Sequence, residues 1–166
     1  MSSIDLRELN RVCRLDGKRK KLVPFQPFHM KLIQRNEFDI YIEKIMPNWN
    51  DYLLSYANNG LTFTGLVDGK VYAIFGLIEY PIPGLAEAWL VSDKDLAKET
   101  IAFQRAITRF FPFIAEKKEL RRIQFIIRTS NVRFLRWIKR VGFVEEGVMR
   151  NYAPDGSSFT LFARLF

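Results

Sequence analysis

The stretch from Arg128 to Arg150 limits the possible folds more than any other part of the chain. It reads as the end of a buried strand, a capped helix, a glycine stop and a new strand. Ser130 or Asn131 is placed to cap the helix by accepting one of its orphan backbone N–H groups. Phe134, Leu135, Ile138 and Val141 recur at helical spacing, and Arg133, Arg136, Lys139 and Arg140 cover the opposite side. Gly142 supplies the left-handed residue that ends a helix, and Phe143 starts the next strand. A unit of this kind belongs to α/β folds in general, so the remaining elements must narrow the choice.

Before that unit the pattern predicts a short amphipathic helix over 1–17, with Ser2 or Ser3 as cap, Leu6, Leu9 and Cys13 on one face, and Asp16-Gly17 as stop. Lys18-Arg19-Lys20-Lys21 is the densest charge run and reads as an exposed linker or a grip for an anionic partner. Pro24 and Pro27 lead to a first strand at 28–34. Asn36 caps a helix carrying Phe38, Ile42 and Ile45, with Asp39 at capping-box spacing. After Pro47 a second helix carries Trp49, Leu53 and Tyr56. Strands follow at 61–67 and 70–80, joined by Asp68-Gly69, and at 85–91. The longest helix starts at Ser92, with Leu96, Thr100, Phe103, Ile107, Phe110 and Ile114 in its core stripe, and Pro112 ends or kinks it near Phe111. Residues 122–128 read as a central strand, and 159–166 as the last one after a Pro154-Asp155-Gly156 turn. The expectation is one α/β (α+β) domain: a mixed twisted sheet of about seven strands flanked by four helices. An N-terminal arm over 1–27 precedes it, so the domain proper spans 28–166.

A chain of 166 residues suffices for one self-supporting core, and 15 phenylalanines predict an aromatic one. The single cysteine, Cys13, has no internal partner, and no apolar run approaches a membrane span. These features point to a cytoplasm-like compartment and no membrane. Lys and Arg number 26 against 18 acidic residues, a net +8, which attracts polyanions or simply solvates a basic face. No nucleic-acid-binding motif accompanies the charge, so nucleic acid as a partner rests on charge alone. The acidic residues show no metal-site spacing.

Asn131, Gly142-Phe143, Glu146-Gly147 and Arg150 together resemble the last motif of the GNAT superfamily of N-acetyltransferases, most closely its ribosomal-protein acetyltransferase branch. The element order from 28 to 166 is similar too. The resemblance implies acetyl-CoA as cofactor, lying where strands 85–91 and 122–128 splay apart, and an amine on a protein or small molecule as acceptor. It places Leu90, Val91, Lys94, Lys98 and Asn131 at the cofactor and Glu87 as the base, with backbone N–H groups of the fourth strand on the carbonyl oxygen. The acceptor would enter between Met46-Pro47-Asn48-Trp49 and the final hairpin, near Tyr152.

Other residues depart from the family pattern. Its glycine-rich turn lets backbone amides and a helix N-terminus hold a pyrophosphate. Here that turn, Val91 to Thr100, contains no glycine. Asp93 and Asp95 in a first helical turn would suit the dipole and repel the anion, with Lys94 and Lys98 offsetting part of that. The tyrosine that often protonates the leaving thiolate is replaced by Ile138, and its neighbour Trp137 has no acid to offer. Glu87, among Leu85, Trp89 and Val91, is a base if it points inward and a solvated strand residue if it points outward. His29 reads as a surface or capping residue, and Cys13 as packing. Ala86-Glu87-Ala88-Trp89, the glycine-free helix start and the Pro154-Asp155-Gly156 hairpin also resemble compact GNAT-like proteins of tailed bacteriophages, among them an internal virion protein family. That resemblance implies an alternative without catalysis: a protein serving virion assembly or host interaction.

Overall fold

In a computed structural model, which describes residues 4–166, one seven-stranded sheet is built from strands between Lys20 and Leu165. Its elements in order are α1 (Leu6–Val12), β1 (Lys20–Pro24), α2 (His29–Leu32), α3 (Glu37–Ile45), α4 (Trp49–Asn59), β2 (Leu61–Val67), β3 (Lys70–Glu79), β4 (Leu85–Ser92), α5 (Thr100–Lys117), β5 (Arg122–Arg128), α6 (Val132–Arg140), β6 (Val144–Met149) and β7 (Phe159–Leu165). The strand order is β1-β2-β3-β4-β5-β7-β6. All neighbours are antiparallel except β4 and β5, which run parallel.

The core lies on both faces of this sheet. On one face α1, α5 and α6 cover Phe63, Phe75, Ala86, Ala88, Ile123, Phe125 and Phe162, and Phe110 of α5 stacks edge-on against Phe63 and Phe75. On the other, Leu53 and Ala57 of α4 pack with Ile33, Ile74, Trp89 and Val91. Strands β2 and β3 approach so closely that a Cβ on Gly76 would sit 2.4 Å from Leu61 O, a contact no other residue tolerates. Asp68 and Gly69 both take positive φ (49° and 82°), as the two-residue hairpin turn requires.

Four expectations need correction. The first strand is Lys20–Pro24, inside the stretch read as linker, where Lys20 pairs with Val67 and Pro24 with Phe63. Residues 28–34 are not a strand, since His29–Leu32 forms a single helical turn. The longest helix begins at Thr100 rather than Ser92, after a 3₁₀ turn over Leu96–Glu99. It also runs through Pro112 to Lys117. Burial of Phe110, Phe111, Phe113, Ile114 and Ala115 on both sides of the proline outweighs its missing donor. At the N-terminus Asp5 caps α1 by accepting from Arg7 N (2.8 Å), while Ser2 and Ser3 lie outside the described residues.

Candidate active site

Strands β4 and β5 pair only from Leu85/Arg122 to Ala88/Phe125, although both continue beyond. The rest of β5 stays hydrogen-bonded to β7, so β4 loses its neighbour from Trp89 onward. Asp93 N donates to Tyr72 O of β3 and Ser92 N points the other way, to Asp39 Oδ2 (3.2 Å). By strand alternation Leu90 N–H points with Ser92 N–H, into the gap that β5 has left. A cavity of about 460 Å³ opens there on the α5/α6 face. Leu90, Phe103, Phe134 and Trp137 give it apolar walls, Asn131 and Lys94 line it with polar groups, and Arg133 and Arg140 come from α6.

Leu90, Lys94 and Asn131 therefore share one cavity. Asn131 is first a cap, accepting from Phe134 N at 3.2 Å. Val91 is buried on the opposite face with Leu53 and Trp89, and Lys98 projects into solvent, paired with Asp95 at 3.0 Å. Ile138 is fully buried, while Trp137 stacks on Phe103 at 5.5 Å in the cavity wall.

The glycine-free turn does not place its acids in a helical first turn. Asp93 is 1% exposed. Its Oδ1 accepts from Lys70 Nζ (3.0 Å) and Asp95 N (2.9 Å), and its Oδ2 from Gln34 N (3.0 Å). Lys70 also reaches Asp95 at 2.9 Å, and the two lysines Lys70 and Lys98 hold the Asp95 carboxyl down at about 2. Of the turn's backbone donors, Asp95 N is taken by the Asp93 carboxylate, and Lys94 N, Leu96 N and Lys98 N by the carbonyls of Gln34, Asp93 and Asp95. The cavity fits a slender, mostly apolar arm; the turn does not offer a backbone cradle for a pyrophosphate.

Glu87 lies on the other face of β4, half-buried, beside its cross-strand partner Ile78. Tyr80 Oη donates to Glu87 Oε2 at 2.6 Å, and Gln124 Nε2 lies 3.3 Å from the same oxygen and 3.2 Å from Tyr80 Oη. Burial and the bond to Glu87 push the Tyr80 hydroxyl up to about 12, so it stays a donor at any working pH. Tyr52 and Tyr56 of α4 join hydroxyls at 2.8 Å, and Trp49 stacks on Tyr52 at 5.7 Å. Burial raises the Tyr56 and Tyr152 hydroxyls too, with the Glu87 charge adding to both. No motif in the sequence pattern marks Tyr52, Tyr56 or Tyr80 as site residues. The one visible signal was Tyr52 and Tyr56 at i, i+4 spacing on α4.

His29 is not on the surface: it is buried, with Nδ1 3.1 Å from Gln26 N and 2.8 Å from Thr64 Oγ1. Asn36 caps α3 as expected, accepting from Phe38 N (2.8 Å) and Asp39 N (3.1 Å). Asp39 accepts from Asn36 Nδ2 (2.7 Å) and Ser92 N instead of from the Asn36 backbone. Burial pushes the Asp39 carboxyl up to about 6 against these pulls, from an ordinary 3.8. A raised acid favours the folded state below the unfolded value and loses that contribution as pH rises through the folded one. Relative to wild type, Asp39→Asn should therefore gain about 2–3 kcal/mol between pH 4 and pH 7, read by denaturant unfolding at each pH.

No family model and no curated protein matches this sequence. Solved structures do. The GNAT-family acetyltransferase from Bacillus anthracis superposes with a TM-score of 0.69 at 15% identity, covering 89% of this chain and 95% of that one. Ard1 from Thermoplasma volcanium gives 0.69 at 15%, with 89% and 97% covered. The ribosomal-protein-S5-alanine acetyltransferase from Vibrio fischeri gives 0.64 at 15%, with 89% and 93% covered. At such identities the likeness is one of fold, and none of these three is a bacteriophage protein. The chain has the GNAT acetyltransferase fold.

Proposed function

We propose that this protein transfers an acyl group from acetyl-CoA to an amine. The observation that carries the reading is the parting of β4 and β5 after Ala88 and Phe125, with a cavity on one face and Glu87 on the other. When bound, the cofactor would supply an activated thioester. Leu90 N–H is directed into the gap, where a carbonyl oxygen would find a preorganised donor. Phe103, Phe134 and Trp137 would enclose the arm and exclude water, with Asn131 and Lys94 offering polar contacts. Glu87 would accept a proton from the amine through Oε1, since both of its hydrogen bonds fall on Oε2. A thermal unfolding series with acetyl-CoA tests this directly. At a concentration a hundred times the dissociation constant, binding adds about 2.7 kcal/mol of stability and raises the midpoint. No shift at saturating concentration, together with no release of free thiol across a panel of amines, would remove the transferase reading.

The occupied turn favours a second reading, a GNAT fold that has given up its cofactor. In that case the fold would serve binding, as in the virion-assembly or host-interaction roles implied by the resemblance to phage proteins. The same titration separates the two, because a non-enzymatic protein shows no acetyl-CoA shift.

A further inference from the structure

We infer that Trp49, Tyr52, Tyr56, Tyr80, Tyr152 and Glu87 form a recognition wall that selects a protonated amine, with the charge read by the carboxylate and the ring faces. That such an amine receives an acyl group rests on the transferase reading; the binding of the cation does not.

The first observation is a carboxylate without a counter-cation. Glu87 is half-buried in a chain of net charge +8, yet its partners are the neutral Tyr80 and Gln124. The cations nearest along β5 on the same face are spent elsewhere. Arg122 makes a two-pronged pair with Glu146 (2.7 and 2.6 Å), and Arg128 lies over the Tyr41 ring at 3.6 Å and pairs with Asp155 at 3.5 Å. A structural carboxylate on a basic protein would be expected to collect one of these arginines. Here Tyr80 and Gln124 orient it and leave Oε1 for an incoming charge.

The second observation is the aromatic surround. Tyr52, Tyr80 and Tyr152 are 46%, 37% and 53% exposed, an unusual amount for three tyrosines on one face. They are nonetheless fixed in place. Trp49 and Tyr52 stack, Tyr52 and Tyr56 lie 4.6 Å apart, and Tyr152 rests on Phe159 at 5.2 Å. Trp49, Tyr56 and Ile78, the strand partner of Glu87, all pack against the same buried cluster. Rigid, exposed ring faces around one carboxylate attract an ammonium and offer an anion nothing. An uncharged amine or an amine beside its own carboxylate is the poorer ligand.

Three probes with one stem read the charge alone: phenethylamine, 2-phenylethanol and 3-phenylpropionate, titrated by calorimetry near neutral pH without cofactor. Phenethylamine is expected to bind at least about tenfold tighter than the alcohol, with no binding of the acid. Glu87→Gln should bring amine and alcohol within about threefold of each other. The exposed pair Tyr52→Leu/Tyr152→Leu should weaken the amine at least about fivefold at a temperature where thermal unfolding shows the variant still folded. Equal binding of amine and alcohol, no amine binding at millimolar concentration, or a preference unchanged in Glu87→Gln overturns the inference. Each of these outcomes is independent of the acetyl-CoA shift: a cation preference without that shift keeps the site and removes the transferase, and the shift without the preference does the reverse.

Discussion

Asp93→Ala is expected to destabilise the fold by about 3 kcal/mol, more than any change at the neighbouring acids. The carboxylate it removes is buried and joins three parts of the chain: Lys70 at the start of β3, Gln34 ahead of α3, and Asp95 in the turn after β4. Taking it away removes one of two carboxylates from a lysine that is only 35% exposed and leaves two backbone N–H groups without an acceptor. Lys70 retains Asp95, which keeps the cost at the lower end for a broken buried pair. Asp95→Ala, by contrast, should cost clearly less, because Asp95 is itself partly exposed, its second partner Lys98 lies in solvent, and Lys70 keeps Asp93. Urea unfolding reads both, with the midpoint falling and the slope unchanged. A cost below about 1 kcal/mol for Asp93→Ala would mean that the network is not what holds this turn.

That carboxylate also shows why part of the site was illegible in sequence. An aspartate two residues after a strand, followed by a helical pattern, has the local grammar of a helix start. Its actual partner is a lysine on the preceding strand, and no local rule points from Asp93 to Lys70. The same holds for β1. Lys20-Lys21-Leu22-Val23-Pro24 carries the charges and the proline that edge strands use against unwanted pairing, which made it read as linker. His-Met-Lys-Leu-Ile was too short a run for its period to separate strand from helix.

Elements with strong local signals were legible. The boundaries of β2 and β5, the Asp68-Gly69 turn and the Asn36 and Asn131 caps follow from turn chemistry, alternation and capping, which are properties of neighbours in sequence. The cavity's Leu90, Lys94 and Asn131 came from family likeness and fall together in space. The tyrosines around Glu87 were missed as a group because α4, β3 and the final hairpin contribute them separately. Only the packing of α4 across β2 and β3, and the sheet pairing that carries β4 and the hairpin beside them, joins them.

Glu87→Gln should lower the turnover of amine acylation by about 10²- to 10⁴-fold while leaving the acetyl-CoA stability shift intact. Gln keeps the shape and still accepts from Tyr80 Oη, so the strand and its neighbours need not move. What it loses is the anionic oxygen that takes the proton and opposes the ammonium. Two consequences can be told apart kinetically. Loss of the base lowers kcat, and loss of the charge raises KM for a cationic amine but not for a neutral one. Tyr80→Phe should act more weakly, by about tenfold, since it removes a group that orients the carboxylate and not the carboxylate itself. If Glu87→Gln retains turnover within a factor of about three, the proton leaves by another route. Glu87 would then bind the cation without acting on it, and the ring faces around it would be a recognition surface in a reaction whose base lies elsewhere.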